Sequence, residues 1–244
     1  LASGGEKFDQ LKKDLAAAQD TINLMYFIWE RDELTQDLID ILSERARAGV
    51  EVRMLNDYIG NIVYRKDQLK QLTAAGGKVS YDVRDLGQAN YRNHRKIVVI
   101  DGVLGYTGGC NVGQEYIDGG KRYPAWRDTH VVYGGPAVAA LQTMFAARWL
   151  DVEKEDLFTE RYFPAEYPPG ERATPALTVS TGVDAVWEVA RRAHVVGIGE
   201  ASERVWIQSP YYVPTAEVQA AIVNAALAGL DVRLMMTGIP DKRS

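Results

Sequence analysis

A strand, a helix and a second strand occur twice in this chain, and that repetition constrains the fold more than any other feature. Ile22-Asn23-Leu24-Met25-Tyr26-Phe27-Ile28, a helix, and Ala48-Gly49-Val50-Glu51-Val52-Arg53-Met54-Leu55 return as Val205-Trp206-Ile207-Gln208-Ser209-Pro210-Tyr211-Tyr212-Val213, a helix, and Ala228-Gly229-Leu230-Asp231-Val232-Arg233-Leu234-Met235. Any α/β protein repeats strand, helix and strand. The matching Ala-Gly-x-x-Val-Arg runs and aromatic pairs favour duplication, with the second helix about one turn shorter. Elsewhere the hydrophobic period alternates between helix and strand. Phe8, Leu11, Leu15 and Ala18 have helical spacing. Helices are expected at Leu34–Ala48, Tyr64–Ala75 and Ala137–Trp149, and strands at Val50–Leu55, Lys78–Tyr81 and from Trp126 through Val132. The resulting class is α/β, layered. Residues 153–174 are rich in charge and carry Pro164, Pro168 and Pro169, so the expected organisation is a first half at 1–152, a linker at 153–175 and the start of a second half at 176–244.

The chemistry concentrates between the repeats. Lys96 to Ile100 is an apolar, β-branched run with polar residues at its N-terminal end, which reads as a strand buried on both faces. Side chains alternate, so His94 and Lys96 share a face. Asp101-Gly102 is a two-residue hairpin signal. With Ile100 paired to Val103, Gly109 would fall opposite His94 and Thr107 opposite Lys96. Gly108-Gly109 could then bring backbone N–H groups close to a phosphate, with the Asn111 amide as a further donor. Asp101 has the other parity and sits at the far turn, which suits an orienting role. A phosphodiester reaction needs a nucleophile, a cation for the non-bridging oxygens and an acid for the leaving alkoxide. His94 supplies the first as a phosphohistidine, and Lys96 the second.

The spacing His-x-Lys, four residues, Asp, six residues, Gly-Gly-x-Asn resembles the signature of the phospholipase D superfamily. Tyr26-Phe27-Ile28, Asn111 to Tyr116, Trp126-Arg127-Asp128-Thr129-His130, Gly135-Pro136-Ala137-Val138, Ser209 to Pro214 and Gly238-Ile239-Pro240-Asp241-Lys242 are together similar to its bacterial cardiolipin synthase branch. Two positions depart from the pattern: Gln114, where an acidic residue is frequent, and Cys110. The resemblance implies a mixed β-sheet flanked by helices with a pseudo-two-fold duplication. It implies His94, Lys96 and Asp101 as the catalytic set, with Gly109, Asn111, Glu115 and Arg127 around the substrate. Glu115 would hold an imidazole in the productive tautomer. Arg127 has two readings, a lipid-phosphate ligand or an ion-pair partner near Asp128. Tyr26, Tyr211 and Tyr212 could line a lipid cleft, although core packing is the commoner use of such residues. The implied reaction joins two phosphatidylglycerols into cardiolipin and glycerol at a membrane surface, and the scheme invokes no cofactor and no metal. Water as acceptor would make the same residues a phosphodiesterase.

Composition narrows the rest. Twenty-eight Lys and Arg against 33 Asp and Glu leave a net charge of −5, so nucleic acid is not an expected partner and a superfamily nuclease is disfavoured. Phosphate affinity must be local, and Arg92, Arg95 and Lys96 form such a cluster. The single cysteine excludes an internal disulfide and reads as a small buried hydrophobe. No run has the apolar length of a membrane span. The chain opens at Leu1 without methionine, and the resemblance implies a bacterial membrane location whose anchor lies outside this sequence. His94 lies 45 residues beyond Gly49, and the same distance beyond Gly229 falls near position 274, past Ser244. The second motif is therefore expected from a C-terminal half, in the same or a separate chain. Neither His130 nor His194 has a lysine two residues on. His130 is expected to be structural at a strand start, and His194 a helix-end residue.

Overall fold

The computed structural model describes residues 1, 3–61, 68–82, 92–120, 125–168, 174–182 and 187–238. Its centre is the first repeat. β1, Thr21–Tyr26, is buried at every position, as a strand covered on both faces must be. It follows α1, Gly4–Ala17, whose first turn is capped by the Ser3 hydroxyl accepting the Glu6 N–H at 3.2 Å. Asp32 caps α2, Glu33–Arg47, by accepting the Thr35 N–H at 3.0 Å. α2 ends where Gly49 takes φ +97°, donating to the Ala46 carbonyl at 3.1 Å while Val50 donates to Arg45 at 3.0 Å. The chain returns as β2, Glu51–Asp57, parallel to β1.

Four further strands complete this sheet. After α3, Gln68–Ala74, β3 at Lys78–Asp82 lies parallel to β2. Residues 64–67 of the helix expected at Tyr64–Ala75 lie outside the described residues. β4, Ile97–Ile100, runs antiparallel to β1; β5, Leu104–Gly108, and β6, His130–Gly134, continue the antiparallel side. The strand order is β3-β2-β1-β4-β5-β6, so the expected mixed sheet flanked by helices is present. Alternation divides the core. Leu24, Tyr26, Val98 and Ile100 face α1 and α2, while Met25, Leu55, Ile97 and Val99 face α5, Val138–Glu153, through Phe145 and Trp149.

The hairpin corrects the expected register by one residue. Val103 does donate to the Ile100 carbonyl at 3.1 Å, and Asp101 and Gly102 both have positive φ, 51° and 68°. The cross-strand partner of Ile100 is nevertheless Leu104, and that of Ile97 is Thr107. Val103 remains in the turn as an extra residue. Gly109 therefore does not fall opposite His94, and the regular strand begins at Ile97 rather than Lys96.

Contacts divide the chain into two compact units, Leu1–Thr178 and Val179–Ser244. Within the expected linker, the described residues 154–168 are fastened to the first unit. Leu157 and Tyr162 are buried, Arg161 pairs with Asp20 and Glu51, and Glu155 receives Arg53, Lys78 and the Trp149 indole. Glu155 and Arg161 are held in ion pairs and Leu157 and Tyr162 in the core, which composition alone could not separate from a solvated linker. The second unit holds α6, Val189–Gly199, β7, Arg204–Gln208, α7, Ala216–Leu227, and β8, Asp231–Met235, with β7 and β8 parallel. Thr21 pairs with Glu51 and Arg204 with Asp231, which makes the second crossover three residues shorter. In the Gly238 to Lys242 block, residues 239–242 lie outside the described residues.

Candidate active site

Because β4 runs against β1, its first residues stand beside the C-terminal ends of β1, β2 and β3, where ligands of α/β sheets commonly bind. Carboxylates close two of those ends. Asp57, the last residue of β2, receives Arg92 Nε at 3.1 Å and Nη2 at 2.6 Å. Asp82, the last residue of β3, receives Arg148 Nε at 2.8 Å and Asn93 Nδ2 at 3.3 Å. Asn93 Oδ1 in turn accepts the Arg95 N–H at 3.2 Å. Asn61 ties the neighbouring loops, donating to the carbonyls of Phe27 and Asp57 and accepting the Trp29 N–H. The irregular segment before β4 is thus pinned at Arg92, Asn93 and Arg95, and it presents the exposed His94.

Lys96 completes the pair. Its ammonium lies 2.9 Å from His94 Nδ1 and donates to the His94 carbonyl at 2.7 Å. An ammonium can donate to a ring nitrogen only where that nitrogen carries no proton, so this contact suits a neutral imidazole, whose single lone pair Lys96 must release before the ring can attack. Lys96 is 3% exposed, and burial pulls its pKa down to about 8 against the opposing pull of Asp128 and the Cys110 thiol. A buried cation next to an exposed imidazole can neutralise developing charge on a phosphoryl oxygen.

The glycine loop does different work from that expected. The Gly109 N–H donates to the Thr129 carbonyl at 3.1 Å, so it is not directed at a phosphate. A Cβ on Gly109 would stand 2.0 Å from Asp128 Oδ1, and one on Gly108 would stand 2.4 Å from the Thr129 carbonyl oxygen. The two glycines admit Asp128 and His130 into the layer under the site. Asn111 is likewise engaged: its Nδ2 donates to the Tyr116 hydroxyl at 2.9 Å and its Oδ1 accepts the Ile28 N–H at 3.3 Å. It ties the exit of β1 to α4, Glu115–Asp118.

Other expected residues are dispersed. Asp101 accepts the backbone N–H groups of Gln19, Asp20 and Thr21 at 2.8 to 2.9 Å, four strand residues away from Lys96 and on the order of 15 Å from it. Its role is to fasten the hairpin to the start of β1, which removes it from the catalytic set. Glu115 opens α4 and is half-buried, and Arg127 is exposed. Tyr26 is buried in the core, whereas Tyr211 and Tyr212 are exposed in the second unit. Cys110 is buried, and desolvation pushes its thiol up to about 11.

Beneath the site lies a buried polar layer that the motif did not reveal. Lys7 of α1 is fully buried, donates to the Tyr26 hydroxyl at 3.0 Å and sits 3.5 Å from the centre of the Phe8 ring. Desolvation brings its pKa to about 7. His130 opens β6 as expected, and among the described residues neither ring nitrogen has a hydrogen-bond partner. Burial, helped by Lys7 and Lys96, holds its pKa near 3 and the ring neutral. Asp128, quoted earlier only as a neighbour of Arg127, exerts its field on Lys7, Lys96 and Cys110. Among the described residues no group of three or more His, Cys, Asp or Glu side chains is placed to hold a metal ion, and no helix is long and apolar enough to cross a membrane.

Comparison with known proteins bears on this geometry. Residues 11–149, more than half of the chain, match the family described as cardiolipin synthase, PLD-like domain. The chain is 38% identical to the major cardiolipin synthase of Bacillus subtilis over 99% of this chain and 51% of that protein. It is 37% identical to the cardiolipin synthase of Geobacillus kaustophilus over 100% of this chain and 49% of that one. The chain spans about half the length of the curated relatives it matches. The crystal structure of phosphatidylserine synthase from Haemophilus influenzae shares the fold, with a TM-score of 0.61 at 15% identity over 97% of this chain and 60% of that one.

Proposed function

Because this chain belongs to the cardiolipin synthase family of PLD-like domains, we propose that it forms one half of a phosphatidyl transferase in which His94 is the nucleophile. The observation that carries the reading is the Lys96 ammonium 2.9 Å from Nδ1 of an exposed His94, at the open ends of the central strands. His94 attacks the phosphorus of one phosphatidylglycerol, a P–N bond forms, and the P–O bond to glycerol breaks. Lys96 offsets charge on the non-bridging oxygens. The departing glycerol oxygen takes a proton from an acid on the opposite side of phosphorus, because displacement is in line. That acid comes from a matching half with its own His-x-Lys motif, in the same or a separate chain. Having lost its proton, it takes one from the hydroxyl of a second phosphatidylglycerol, whose oxygen displaces His94 to give cardiolipin. The reaction takes place at the surface of the bacterial cell membrane, where both lipids reside.

Vesicles of phosphatidylglycerol test the reading, using the protein that carries both halves. Cardiolipin with equimolar glycerol is the expected product. Phosphatidic acid alone would replace transfer with hydrolysis at the same residues, and no turnover would overturn both.

A further inference from the structure

We propose that Phe27 is a positioning residue for His94, and this rests on His94 being the attacking group. The backbone before β4 is irregular and His94 is exposed, so strand geometry does not fix its ring. Lys96 meets the imidazole at its nitrogens. The Phe27 ring supplies a wall, with centroids 4.3 Å apart and planes tilted by 54°.

Phe27 is itself held from several directions. It directly follows β1, and its carbonyl accepts Asn61 Nδ2 at 3.0 Å. Gly60 closes on the same carbonyl so tightly that a Cβ there would stand 2.3 Å from the oxygen. Over the ring, 4.2 Å from its centre, lies the Arg92 guanidinium, which Asp57 grips with two nitrogens. Lys96 Nζ lies 5.3 Å from the same centre. Two cations within reach of one ring explain why the position calls for an aromatic residue. The π face attracts both, whereas an aliphatic side chain would fill space and leave their repulsion unrelieved. Asp57, Arg92, Phe27 and His94 thus form a chain from a buried carboxylate at the end of β2 to the reacting ring.

Kinetics with phosphatidylglycerol vesicles, on the protein carrying both halves, tests the role through Phe27→Leu and Phe27→Tyr. Misplacement of an attacking atom by about 1 Å costs up to roughly 100-fold, so Phe27→Leu should lower kcat by roughly 10- to 100-fold and leave KM within about twofold. Phe27→Tyr should restore most of kcat. Proton NMR of His94, His130 and His194 in the same variants reads the contact itself. The ring-current shift of His94 should vanish in Phe27→Leu and persist in Phe27→Tyr, with His130 and His194 unmoved as a check on folding. Unchanged kcat in Phe27→Leu, or equal loss in both variants, would overturn the proposal. If the parent protein and His94→Asn were equally inert, the nucleophile reading would fall first and the positioning role with it.

Discussion

The two strand-helix-strand repeats close their helices on the same backbone bonds. Gly49 and Gly229 have φ of +97° and +88° and donate to the carbonyls three residues back, while Val50 and Leu230 donate to those five residues back. Glu51 and Asp231, the first residues of β2 and β8, each take a side-chain bond from the arginine two residues on. Burial separates the copies. β1 is covered at all six positions, while β7 leaves Trp206 57% exposed and β8 leaves Met235 63% exposed. In the first unit β3 and β4 flank the repeat and α5 covers its second face. In the second unit, among the described residues, β7 and β8 pair only with each other. Local structure therefore follows from local sequence, but a core and a site follow from the strands that flank the repeat.

Substitutions in the two units sharpen this contrast. The largest effect is expected at the histidines: His94→Asn should lower turnover of phosphatidylglycerol by at least roughly 1,000-fold, as loss of a nucleophile does, while His194→Asn leaves it unchanged. Equal effects in product assays would erase the distinction between the units. Leu42 and Ile222 stand the same distance before their helix-ending glycines. Leu42→Ala should cost about 3 to 4 kcal/mol in denaturant melts and Ile222→Ala about 2 kcal/mol, because Leu42 is fully enclosed in the larger core whereas Ile222 belongs to a small cluster. Arg53→Leu should cost about 2 kcal/mol, the low end for breaking a buried pair because its carboxylate partners remain about one-third exposed, whereas Arg233→Leu should leave the melting temperature unchanged. A large loss at Arg233 would show that β8 is as covered as β2.

A smaller effect concerns pH and has no counterpart in the second unit. Burial brings the pKa of Lys7 in the folded chain to about 7, below the ordinary lysine value of 10.5. Below pH 7 both folded and unfolded chains hold the proton, and the full cost of burying the charge weakens the fold. Between about pH 7 and 10.5 the unfolded chain holds more protons, so stability rises with pH across that window. Lys7→Met should raise stability by roughly 2 kcal/mol at pH 6 and flatten that rise. A parallel pair of pH curves for the two proteins would show that burial does not lower the pKa of Lys7.

The elements were legible because helical and strand periods are local signals. The hairpin register was not, since Asp101 is committed to backbone groups at Gln19, Asp20 and Thr21, about 80 residues away, and Val103 stays in the turn. Gly109 was read toward a phosphate because a glycine permits close approach without saying to what. The visitor is the Asp128 carboxylate. Lys7 could have been found: it continues the four-residue spacing of Leu11 and Leu15 on the buried face of α1. Phe27 could not, because its contacts with Arg92 and His94 join strand ends far apart in sequence.

The measurement that bears most directly on the site is identification of the covalent intermediate. The protein carrying both halves would be mixed with phosphatidylglycerol, quenched under conditions that preserve P–N bonds, digested and mapped by mass spectrometry. A phosphatidyl group on the peptide containing His94, absent from His94→Asn, is the expected result. An adduct confined to another residue, or cardiolipin formed at full rate by His94→Asn, would contradict the assignment.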